Sequence, residues 1–226
     1  MRPDLPRLET GQLDDFIDAG GAEGLHFVGG GALVELDALE LIGCIVEGVS
    51  FANIRFRHFD VQDVFFRNCD FAGVILSDRS RLTRVRFGET RGIGFQANGG
   101  TFTDVEFVGG NLDLSSFRMA ILQRFGMRDL RARELDLYGS KIQTGYLLNC
   151  DLTSLELSGA EIQGLALHGS NIERLRGVSQ LSGVSISQNQ LMLLAGTLAS
   201  EAGIQVGDDI VDDLIQAVGS ADSRIG

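Results

Sequence analysis

Residues 150–174 read CDLTSLELSGAEIQGLALHGSNIER. Cut every five residues, the stretch gives Cys150-Asp151-Leu152-Thr153-Ser154, then blocks opening at Leu155, Ala160, Leu165 and Ser170. The first and third places of each block are apolar or small, and charge falls only on the other three. A spacing of five fits neither the 3.6-residue turn of an α-helix nor the two-residue alternation of a strand. A short fixed period is the mark of a solenoid, whose units bury their apolar sides only against neighbouring units.

Extended backwards, the third place ("centre") steps by five through Leu36, Leu41, Val46, Phe51, Phe56, Val61, Phe66, Phe71 and Leu76. One extra residue enters within residues 77–81, and the stepping resumes at Leu82 and Phe87. It passes Gly92 and Ala97 and runs on through Phe102, Phe107, Phe117, Leu137 and Leu152 to Ile172. Of 28 centres, 25 are large and apolar. A second inward series lies two residues before each centre, from Val34 to Ser170, and holds all three cysteines. None of these 56 positions is charged, although residues 34–174 contain 34 charged side chains. Random placement would put roughly 13 of them there, so the cost of burying unpaired charge is being avoided systematically.

The blocks at Cys150, Ala160 and Ser170 resemble the pentapeptide-repeat consensus: a small residue, Asp or Asn, Leu or Phe, then two variable places. The resemblance implies an all-β solenoid, a right-handed quadrilateral β-helix with four pentapeptides per coil. Centres twenty apart then stack, and 28 centres make seven coils, roughly 30 Å long at about 4.8 Å per strand. Phe66, Phe87 and Phe107 fall in one stack and predict an aromatic ladder. The ladder survives the slip only if the extra residue bulges outward. Gly92 and Ala97 are small where centres are large, and Phe95 is large where its series is small. Either these neighbours compensate, or residues 77–100 form a protruding segment.

The expected organisation is a lead or cap over 1–24, the β-helix over 25–177, a helix-strand-helix cap over 178–218, and a tail over 219–226. Ser187 with Gln190 forms a capping box, and Leu191, Leu194 and Leu198 follow at helical spacing, with Gly203 as the stop. A strand at Ile204-Gln205-Val206 and a last helix from Asp208 or Asp209 complete the expected cap. The run GVSISQNQLMLLAGTLASEAGIQV resembles the closing segment of the Qnr and MfpA group, as well as uncharacterised actinobacterial pentapeptide-repeat proteins. That group protects type II topoisomerases from quinolones. The resemblance implies a homodimer joined through this segment, with Leu191, Leu194, Leu198, Ile204 and Val206 making apolar contacts against the last coil or across the dyad. Unlike many Qnr proteins, the chain has only a one-residue slip, nearer the loopless MfpA pattern.

Few side chains suggest chemistry. Cys44, Cys69 and Cys150 are widely spaced and read as buried small residues. His26, His58 and His168 have no metal spacing, and no glycine run matches a phosphate loop. No catalytic residue, cofactor, metal or small-molecule substrate is expected, and the chain reads as no enzyme. With no signal-like or membrane-spanning run, the expected location is the cytoplasm. The net charge of −12 argues against direct nucleic-acid binding. It divides as −8 over residues 1–50, +4 over 51–133 and −8 over 134–226. The 13 arginines of the middle segment spread over all four faces, a belt rather than a patch. Two functions are therefore carried forward: a DNA-mimicking binder of DNA gyrase or topoisomerase IV, and a scaffold for another protein.

Overall fold

A computed structural model describes residues 8–11, 21–29 and 36–207. The chain winds as a right-handed, four-sided parallel β-helix closed by one helix, α1 (Gln188–Glu201), among the described residues. Every strand pair in it is parallel, as a chain that always coils in one sense requires. Phe102 lies over Leu82 and under Leu122, and Phe107 between Phe87 and Met127, at the twenty-residue spacing expected.

The ladder is longer at both ends than the count from Leu36 suggests. Gly21–Glu23 pairs with Ala38–Ile42, and Leu25–Val28 pairs with both Glu9–Gly11 and Ile45–Glu47. Residues 9–11 and 21–23, within the expected lead, thus already belong to the helix. At the other end Val184–Ser185 adds to Leu165–Ala166. The result is about eight turns rather than seven. The early turns were hidden because the spacing there is 19 or 16 residues, not twenty. Val34 and the acidic stretch 13–20 lie outside the described residues.

Many corners share one turn. In it the centre's carbonyl accepts from the N–H three residues on, as in Ile54 to Phe51, Ser115 to Leu112 and Leu155 to Leu152. At most corners the residue two after the centre takes a positive φ, the conformation a type II turn requires. Asn53, Asp63, Asn68 and Asp104 do so at φ 52–64°, and so do Leu114 and Met119, at 60° and 56°. A large apolar residue gains nothing locally from that conformation, which costs roughly 1–2 kcal/mol.

The slip sits at one corner. Registry is twenty for Val46 with Phe66, twenty-one for Phe66 with Phe87, and twenty again for Phe87 with Phe107. Ser77, Asp78 and Arg79 turn outward, and Ser80 returns to the inward series at 1% exposure. The aromatic ladder is intact: Phe66 and Phe87 stack at 5.0 Å, and Phe87 and Phe107 at 4.3 Å. Compensation, not protrusion, governs the weak step. Phe95 is buried and reaches Phe71, Phe107 and Phe117 with ring centres 5.8–6.4 Å away. Leu112 fills the space over Gly92, where an added Cβ would come within 2.6 Å of its Cδ2.

Phe51, Phe56, Phe66, Phe71, Phe87, Phe102, Phe107, Phe117, Leu137 and Leu152 are all buried in one continuous core. The open C-terminal end is closed by Gln190, whose two polar atoms act together. Its Oε1 accepts from the Ser187 N–H, completing the capping box. Its Nε2 donates to the carbonyls of Leu167 and Ser170 where the coil ends. Leu194 packs below at 4% exposure. No strand forms at 204–206; the Ile204 N–H instead bonds back to the Ala199 carbonyl. The expected last helix, from 208, lies outside the described residues.

Phe87→Ala or Phe107→Ala removes a ring from the middle of the ladder and should cost about 3–5 kcal/mol. Urea denaturation followed by circular dichroism checks this; an unchanged midpoint would show that these rings do not stack as described.

Candidate functional site

With the interior filled by side chains, the functional surface is the outside of the rod. Its main feature is a set of ion pairs running along the axis between coils. Arg124 grips Asp104 with two nitrogens at 2.5 and 2.7 Å, and Arg84 grips Asp63 in the same way. Arg91 meets Asp70 at 2.7 Å, Arg118 meets Asp136 at 2.7 Å, Arg131 meets Asp113 at 2.8 Å, and Arg133 meets Asp151 at 2.6 Å. Partners lie 18 to 22 residues apart, one coil, so the arginine belt is laced to acids on each face. Each exposed pair contributes little alone, roughly 0–1 kcal/mol.

One junction is half-buried. Glu106 accepts from Arg128 at 2.9 Å and from the Tyr146 hydroxyl at 2.7 Å, with Arg86 at 3.4 Å on its other oxygen. Burial pushes this carboxyl up, but the Tyr146 and Arg128 hydrogen bonds and the two positive charges outweigh it and hold it below its ordinary value. The same burial, with the Glu106 bond, pushes the Tyr146 hydroxyl up to about 12. The Tyr146 ring lies over Gly126, where an added Cβ would sit on it at 2.3 Å, so this glycine is a recess for the ring.

Summed over the repeat body, the charges nearly cancel. Residues 36–177 carry 16 basic and 18 acidic groups, a net of −2. Residues 1–35 carry −5 and residues 178–226 carry −5, which accounts for the total of −12. The sides of the rod are close to neutral, and the excess acid belongs to the terminal segments.

The apolar exceptions fall in three places: Val28 and Ile42 are exposed on the first turns, and two larger groups lie mid-rod and at the cap. Leu114, Met119, Ile121 and Tyr138 are exposed mid-rod, with Arg118 over the Tyr138 ring at 4.4 Å. The second group is at the cap. Of the five residues expected there, Leu194 is buried and Leu198 is half-buried against the core, whereas Leu191, Ile204 and Val206 are exposed. Met192 and Leu193 join them at 76% and 67% exposure; the helical spacing had not singled them out. The three cysteines are buried and unpaired with one another, and burial pushes the Cys69 thiol up to about 11. His168 bonds Ser185 at 2.7 Å, while His58 and His26 face Glu40 and Glu47 at 3.0 and 3.6 Å. Among the described residues no group of three or more His, Cys, Asp or Glu side chains is placed to hold a metal ion. No helix there is long and apolar enough to cross a membrane.

The chain has the fold of the pentapeptide-repeat β-helices. Among solved structures it is similar to full-length QnrB1, described as a plasmid-mediated fluoroquinolone resistance protein. The two share 17% identity over 84% of this chain and 94% of that one, at a TM-score of 0.58. A trypsin-treated form of QnrB1 matches at 19% identity over 83% and 90%, with a TM-score of 0.52. No family model matches the sequence, and no curated protein does.

The carboxylates of Asp63, Asp104, Glu106, Asp151 and Glu156 are all held below their ordinary values: Asp63 and Asp104 by their arginines, Glu106 by Tyr146 and Arg128, Asp151 by the Thr153 hydroxyl and then Arg133, and Glu156 by Ser158 and Arg176. A lowered folded-state value stabilises the fold above the unfolded value and loses that contribution as pH falls through the folded one. The urea midpoint should therefore stay level between about pH 7 and 5 and fall below about pH 4. Glu106→Gln should lower the midpoint at neutral pH and flatten that acid limb; an unaltered profile would show that the Glu106 junction carries no stability.

Proposed function

We propose that this chain is a non-enzymatic protein-binding rod whose partner is a type II topoisomerase, DNA gyrase or topoisomerase IV, and that it protects that enzyme from quinolones. The observation that carries this reading is the shared backbone course with a fluoroquinolone resistance protein along nearly the whole length of both chains. The packed interior supports binding by the outer surface rather than catalysis.

Mimicry of a DNA duplex would use the ends of the rod. The sides from 36 to 177 are nearly neutral, so the attraction to a basic DNA-binding saddle would come from the terminal segments, with their −5 each. A cytoplasmic homodimer joined through the cap fits the same reading. Leu191, Met192, Leu193, Ile204 and Val206 offer it an exposed apolar surface, and two copies would place their acidic N-terminal segments at opposite tips. A second reading is a scaffold for a different protein. It is favoured by the neutral sides and by the exposed group of Leu114, Met119, Ile121 and Tyr138 mid-rod.

Purified gyrase decides between them. Micromolar protein should slow supercoiling or relieve its inhibition by ciprofloxacin, and substitution of Met192 and Leu193 by Glu should weaken the effect together with dimerisation. Gyrase that behaves identically with and without the protein would overturn the topoisomerase reading and leave the scaffold.

A further inference from the structure

The one-residue insertion is not used by the core, which stacks past it undisturbed. Outside, it opens a corner. Asp78 and Arg79 project, and an open pocket of about 320 Å³ forms between His58, Asp78, Arg79, Arg81 and Thr101. Arg81 and Thr101 are stacked on one column above Asp60, so two of the lining residues are fixed by the ladder itself.

The arginines lining this corner hold carboxylates more loosely than several on the later coils. Those of the later coils, Arg118, Arg124, Arg131 and Arg133, hold carboxylates at 2.5–2.8 Å. Around the insertion Arg79 and Arg55 have no ion pair among the described residues, Arg57 stands 3.7 Å from Asp37, and Arg81 stands 3.9 Å from Asp60. These guanidinium groups keep unused donors beside the open pocket.

We propose that this corner is a binding site for the phosphate group of a small ligand. Arg79 and Arg81 present planar donor forks suited to bidentate contact with phosphate oxygens, and Thr101 adds a hydroxyl. Asp78 is the one carboxylate of the lining, and Glu40 faces His58 from outside it at 3.0 Å. Two arginines against one aspartate leave the lining net positive even with His58 neutral. A dianionic phosphate satisfies both forks, which a single carboxylate does not. The volume lies at the lower end for small-molecule sites, about 300–1,000 Å³, and suits a phosphate or diphosphate group rather than an extended nucleic-acid backbone.

The test is calorimetric titration of the full chain with inorganic phosphate, pyrophosphate, sulfate and a single-stranded oligonucleotide at physiological salt. Saturable one-site binding of phosphate or pyrophosphate, tighter than sulfate, is expected. The tighter of the two identifies a monophosphate or a diphosphate ligand. Arg79→Gln combined with Arg81→Gln should weaken it about tenfold or more without moving the thermal midpoint, while Arg133→Gln on another face should leave it unchanged. Deletion of Asp78 restores strict five-residue spacing and should abolish binding. Absence of saturable phosphate or pyrophosphate binding up to about 5 mM overturns the proposal. So does equal affinity in the double-arginine variant, or an oligonucleotide that binds without competition from pyrophosphate.

Discussion

Everything in this molecule depends on keeping two residues in every five dry. The inward places stack at one strand spacing along the axis, and side chains such as Leu39, Val46, Phe66, Phe102 and Leu157 are fully enclosed. A charge there would face neither water nor a partner, and each level leans on the levels above and below it. The backbone obeys the same constraint. Leu112 donates to Arg131 and Ile121 to Gly100, so each coil satisfies its neighbours and the last needs a substitute partner. Gln190 is that partner, which explains why a polar side chain sits at 5% exposure at the end of an apolar stack.

The repeat body is legible in the sequence because its information is local. Five consecutive residues state which two face inward, and repetition states that the units stack. The Phe66–Phe87–Phe107 ladder follows once the resemblance supplies four repeats per coil, and the outward bulge is the condition for it. What periodicity conceals has three physical sources. The first turns depart from twenty-residue spacing, so residues 9–11 and 21–23 look like a lead although they pair into the sheet. The corner conformation belongs to a place whose occupants range from Asn53 to Leu114 and share no chemistry that a consensus would reveal. The axial ion pairs require a choice of rotamer between coils. The arginines are visible as a belt, but only the coordinates show that Arg124 takes Asp104 and Arg128 takes Glu106.

That pairing alters the functional picture more than it alters stability. An acidic–basic–acidic sequence becomes a rod with nearly neutral sides and acidic terminal segments. Recognition by charge then belongs to the ends, recognition by apolar contact to the cap and the mid-rod group, and the inserted corner stands apart as the place where arginine donors remain unspent. The cap residues were only half legible: helical spacing picked out Leu194 and Leu198, which face the core, but not Met192 and Leu193, which face outward.

The central claim, that inward and outward places differ absolutely in their tolerance of charge, is tested most directly by moving one aspartate across that boundary. Phe102→Asp and Thr103→Asp alter adjacent residues of the same strand, the first enclosed and the second partly open. Urea denaturation should show Thr103→Asp within about 1 kcal/mol of the parent and Phe102→Asp unfolded or destabilised by more than about 4 kcal/mol. Comparable losses in both would contradict the account.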